Sequence, residues 1–180
     1  NLDSRIAITP NFDKIYEVYA STASEGNVSV KCFHDDDSIA DCIRRPNPII
    51  IKIHGSVDSA DQLIFTRKDY SEARTKYRDF YRIIEALSLT HTFIFLGCGV
   101  NDPDIRLILE DLNYKYPSTN QHFIVMPKNA IAPAVKEIIS DTMKLNILEY
   151  DSASNHQELT ASLEVLVGAV ETKRDEIAGT

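Results

Sequence analysis

The chain has 180 residues, of which 43% are hydrophobic and 26% charged, values of a globular domain with a sizeable core that exclude collagen-like, low-complexity and disordered classes. Its 19 Lys and Arg against 27 Asp and Glu leave a net charge of -8, which argues against DNA or RNA as direct partners, because a phosphate backbone demands a basic surface. Three cysteines, Cys32, Cys42 and Cys98, form no Cys-x-x-Cys pair, so neither a disulfide framework nor a zinc site is expected, and a reducing, cytoplasmic setting is.

Short β-branched runs alternate with helical periods along the chain, the pattern of an α/β fold with a mostly parallel sheet and helices on both faces. Ile6–Ile8 is predicted as a strand, followed by a helix on which Phe12, Ile15, Tyr16 and Tyr19 recur until Gly26 offers a stop. Val28–Phe33 is a second strand, and residues 34–48 read as an acidic, polar loop, whose Asp35, Asp36 and Asp37 are taken as a solvated turn rather than a metal site. Ile49–Ile53 is a strong strand ending in His54-Gly55, after which a hairpin-like stretch leads to Leu63, Ile64 and Phe65. Thr66 and Asp69 match a capping box. One long helix is expected there, with Tyr70, Ala73, Tyr77, Phe80, Tyr81, Ile84 and Leu87 on a face read as core rather than a base-stacking platform.

Thr92–Leu96 is the next strand, Gly97-Cys98-Gly99 a turn, and Asp102-Pro103 the N-cap and first residue of a helix bearing Ile105, Ile108, Leu109 and Leu112. A strand at His122–Met126, a helix at Ala132–Ile139, a strand at Leu145–Tyr150 and a helix at about Ser154–Val170 complete the series. Residues 171–180 read as a tail or the start of a linker. The longest apolar runs, such as Phe93–Leu96, are far too short to cross a membrane, and no membrane partner is expected.

In open parallel sheets, ligands bind beyond the carboxyl ends of the strands. Three such ends carry polar groups. Thr9-Pro10-Asn11-Phe12-Asp13 places an amide and a carboxylate after the first strand, although an Asx turn capping the next helix accounts for the same residues. His54 stands directly after a buried strand, where a general base would stand, and Gly55 permits unusual dihedrals. Gly97-Cys98-Gly99-Val100-Asn101-Asp102 is a small-residue turn opening a helix, which lets backbone N–H groups approach a phosphate.

Taken in order, T-P-N-F-D, I-K-I-H-G and F-I-F-L-G-C-G-V-N-D-P-D-I resemble the sirtuin superfamily, specifically the SIR2-like domains of bacterial anti-phage defence proteins, over about residues 5–150. The resemblance implies a Rossmann-like NAD-binding fold. It also implies that Asn11 and Asp13, next to Thr9, contact the nicotinamide ribose side, that Asn11 and His54 are catalytic, and that Gly97, Cys98, Gly99 and Asn101 bind the phosphate and adenosine side. Cys98 replaces a more usual hydroxyl residue, and a thiol is a poorer donor. The four-cysteine zinc module of sirtuin deacylases has no counterpart after His54, so deacylation is disfavoured and no metal is expected. The family's glycine-rich G-A-G-x-S loop should precede Asn11. The expectation is therefore an N-terminally incomplete domain over residues 1–170.

The chemistry implied is hydrolysis of NAD, as substrate, to ADP-ribose and nicotinamide. Asn11 would orient ribose or water, Asp13 would hold ribose hydroxyls, and neutral His54 would take a proton. The pyridinium is already cationic and needs no acid in order to leave. The 180-residue chain by itself is expected to bind NAD weakly and hydrolyse it poorly, with activity belonging to a complete protein acting as a homo-oligomer or with other defence-protein domains. Two alternatives remain open at this point: a non-catalytic sensor of NAD or an ADP-ribose derivative, and a structural assembly module.

Overall fold

A computed structural model describes residues 4–35, 39–98, 102–117 and 120–179. The fold is α/β and Rossmann-like. Its strands are β1 (Ile6–Thr9), β2 (Ser29–Cys32), β3 (Ile49–Lys52), β4 (Ile94–Phe95), β5 (His122–Pro127) and β6 (Leu145–Tyr150). The helices are α1 (Ile15–Ala23), α2 (Ile39–Arg44), α3 (Arg67–Lys76), α4 (Arg78–Thr90), α5 (Pro103–Lys115), α6 (Pro133–Met143) and α7 (Ala153–Ala178). The chain divides into two compact units, one running to Ile84 and one starting at Glu85.

In the first unit the strand order is β1-β3-β2 and both pairings are parallel, with Ile6 and Ser29 each opposite Ile49. A central strand flanked on both sides favours apolar residues, and all four residues of β3 are buried: three isoleucines and, at its end, Lys52. Phe33 and Phe80 are buried too, and Phe33 meets Phe80 and Tyr77 edge-on, with ring centroids 6.4 and 5.0 Å apart. The aromatic helix face is core, as expected. The capping box is present in full: Asp69 N–H donates to Thr66 Oγ1 and Thr66 N–H donates to Asp69 Oδ2.

The second unit holds a parallel sheet of order β4-β5-β6. Leu109, Ile124, Met126, Ile139, Met143 and Leu145 form its core. Asp102 caps α5 through Oδ1, which accepts the Ile105 N–H at 3.1 Å, and Pro103 follows at the first helical position.

Several expected elements differ in detail. The loop over residues 34–48 contains α2, anchored by the buried Ile39 and Cys42, a pair at i, i+3 too short to stand out from its polar surroundings. The stretch after Gly55 is a 3-10 helix, Val57–Gln62, rather than a hairpin, because Ser56 caps it and its polar residues carry no alternating pattern. The single long helix is broken at Tyr77 into α3 and α4. Neither Pro nor Gly marks that break. The apolar residues of α1 lie largely in solvent, with Ile15, Tyr16 and Tyr19 more than half exposed. The final helix extends beyond Val170 to Ala178 and opens with Ser154, Asn155 and His156 in the left-handed region.

Candidate functional site

Two strand ends meet in the first unit. In the parallel register Thr9 faces Lys52, and Ile53 N–H donates to Thr9 O at 3.1 Å. The chain beyond β1 is then held against the chain beyond β3, because Val57 N–H donates to Phe12 O at 2.9 Å and Lys14 pairs with Asp58 at 2.6 Å. The Phe12 ring packs edge-on to Phe65, 5.1 Å between centroids. Asn11 and Asp13 therefore sit on a segment laced to the one that carries His54.

Within that segment, Thr9 Oγ1 accepts the backbone N–H of Asn11 at 3.1 Å, and Asn11 is exposed to solvent. Asp13 Oδ1 accepts the Ile15 N–H at 2.9 Å. The Asx turn is thus real. The carboxylate accepts the N–H of the first residue of α1, and the Asp13 residue is exposed.

His54 is only 7% exposed, and the Tyr70 ring stands edge-on to its imidazole at 5.2 Å. Its carbonyl accepts the Ile64 N–H at 3.1 Å, which ties the turn to the strand-like stretch after the 3-10 helix. Gly55 follows at φ +88°, and a Cβ there would lie 2.9 Å from the Gln62 carbonyl oxygen. Only glycine fits this turn.

The third motif belongs to the second unit. Gly97 adopts φ +66° with open space around the position of a Cβ, so it serves the turn's dihedral and not a close approach. Cys98 is half-buried, and burial pushes its thiol above the usual range. Gly99 and Asn101 lie outside the described residues.

Lys52 is the residue that sequence reasoning missed. It has no exposed surface, and its ammonium donates to Asp13 O at 2.6 Å, to Phe12 O at 3.3 Å and to the Glu17 carboxylate. The available signal was a charge inside Ile49–Ile53, a run that reads as buried, since a buried charge requires partners. An open groove lined by Lys14, Glu17, Val18, Val28 and Val30 flanks α1 but includes none of the candidate residues. Lys14 and Glu17 are both committed to ion pairs. Among the described residues no group of three His, Cys, Asp or Glu could hold a metal, and no helix is long and apolar enough to cross a membrane.

The SIR2-like domain family profile matches residues 5–148, and the chain belongs to that family. It is similar to three proteins named NAD(+) hydrolase ThsA. That of Acinetobacter baumannii is 25% identical over 67% of this chain and 24% of its own length, and that of Bacillus cereus is 21% identical over 96% of this chain and 38% of its own. That of Enterococcus faecium is 32% identical over 44% of this chain and 17% of its own length. The chain thus spans less than two-fifths of each of these relatives.

Proposed function

We propose that this domain binds NAD and that the full-length protein hydrolyses it to ADP-ribose and nicotinamide, as part of an anti-phage defence system. The observation that carries this reading is the buried His54 on a glycine-constrained turn, laced to the segment bearing Asn11, in a member of the SIR2-like family whose relatives are named NAD(+) hydrolases.

In the proposed reaction the bond between the ribose carbon and nicotinamide breaks, and its electron pair leaves with nicotinamide. Water forms the new carbon–oxygen bond and loses a proton to His54, which passes it to solvent. The Asn11 amide orients the ribose or that water, and the Asp13 carboxylate receives ribose hydroxyls. Thr9 holds the loop through its hydroxyl oxygen. An enzyme that consumes a shared cofactor needs an off state, and self-association or other defence-protein domains would supply it.

In the full-length protein, His54→Ala and Asn11→Ala are each expected to lower NAD turnover by about 10²-fold or more, the scale of positioned acid–base catalysis. Nicotinamide release followed by chromatography checks this. Undiminished turnover in both variants removes the catalytic assignment, whereas NAD binding without any turnover in the wild type makes the domain a sensor.

A further inference from the structure

A lysine at the end of a fully buried strand must be compensated, and Lys52 is compensated in an unusual way. An ammonium has three N–H donors, and Lys52 directs them to three oxygens: the Glu17 carboxylate, Phe12 O and Asp13 O. Two of the three are consecutive backbone carbonyls, those of Phe12 and Asp13, immediately after Asn11. Glu17 lies on α1, the helix that the same segment leads into, and its side chain is itself largely buried. Lys52 stands two residues before His54 on the same strand end. One buried cation therefore fixes the chain carrying Asn11 and Asp13 to the chain carrying His54.

Stability alone does not call for this arrangement. Buried ion pairs are frequently no more stabilising than well-packed apolar residues of similar volume. What an apolar pair cannot provide is a donor for the Asp13 carbonyl, or a second one for the Phe12 carbonyl beside the Val57 N–H, and through them a defined position for the backbone that follows Asn11.

On the footing that Asn11 and His54 are the reacting groups, on which this inference rests, we propose that Lys52 is a positioning residue that sets Asn11 and Asp13 relative to His54. It does not touch NAD. Its contribution is the geometry of the reacting pair, and a small misplacement of reacting groups is enough to cost about 10²-fold in rate.

The test replaces both charges at once, Lys52→Met with Glu17→Leu, in the full-length protein, so that no buried charge is stranded. The double variant is expected to melt near the wild-type temperature. Its kcat for NAD should fall by about 10²-fold with KM changed by less than about threefold, since the loss lies in the transition state rather than in binding. Amide hydrogen exchange at residues 11–15 should be faster than in the wild type. Wild-type kcat in the folded double variant overturns the proposal, whatever the exchange shows. If the wild-type protein does not cleave NAD, the catalytic reading fails separately, and the exchange decides the positioning role: unchanged rates at residues 11–15 overturn it. Lys52→Arg keeps a cation beside Glu17 but substitutes a planar fork for a compact ammonium. It carries the same kcat expectation and decides the matter if the double variant does not fold.

Discussion

Gly55 shows how narrowly one residue can constrain the site. Its φ of +88° lies where side chains are strained, and a Cβ would press on the Gln62 carbonyl oxygen at 2.9 Å, a backbone atom that cannot swing aside. Gly55→Ala is expected to destabilise the protein by about 1–3 kcal/mol and to shift His54, which precedes it. Urea unfolding of the variant measures the first effect, and an unchanged midpoint would mean that the turn relaxes freely. Cysteine chemistry is quiet by comparison. Burial, with the Asp35 carboxylate nearby, pushes the Cys32 thiol up to about 11, so it stays protonated and unreactive at neutral pH.

Among the elements, α3 was the most legible from the amino-acid order, because Thr66 and Asp69 announce a helix start whatever surrounds them. The N–H groups of Thr66 and Phe65 hold the Asp69 carboxyl below its ordinary value of 3.8. A group with a depressed folded pKa stabilises the fold above its unfolded value and loses that contribution as pH falls through the folded one. Asp69→Asn is therefore expected to be less stable than the wild type at pH 7, with the gap closing below about pH 4 as the wild-type carboxyl protonates. Denaturant midpoints of the two proteins across that range provide the measurement. The break at Tyr77 was not legible: Ala73, Phe80, Ile84 and Leu87 keep helical spacing across it, and all four are buried. The Tyr77 ring rests edge-on against Phe33, more than forty positions earlier in the chain, a packing choice no local window contains. In the second unit, β4 is only two residues long, and the Phe93 N–H just before it donates to His122 Nδ1 at 3.1 Å. Burial lowers the pKa of His122, which keeps that nitrogen available as an acceptor at neutral pH.

For the whole molecule, charge makes a prediction of its own. A net charge of -8 repels an anionic dinucleotide at long range, so NAD binding must rest on short-range donors at strand and helix ends. Raising salt from about 50 to about 200 mM is accordingly expected to leave NAD affinity unchanged or slightly improved, the reverse of a phosphate-binding basic surface. Calorimetric titration at the two salt concentrations checks it, and a steep loss of affinity with salt would point to a local cationic cluster instead.

The amino-acid order by itself determined the α/β class, the six strands, most helix starts and the three polar strand ends, because each depends on features a few residues wide: β-branched runs, capping residues, and glycine where the chain must turn. The family resemblance joined those ends into one reading, which the SIR2-like match over residues 5–148 supports. Only the tertiary structure decided that β3 lies between β1 and β2, that α2 interrupts a polar loop, and that Lys52 holds the Asn11 segment. Strand order, a helix too short to stand without packing, and the partners of a buried charge all depend on residues distant in the chain. Their free energies come from contacts that exist only once the sheet has formed.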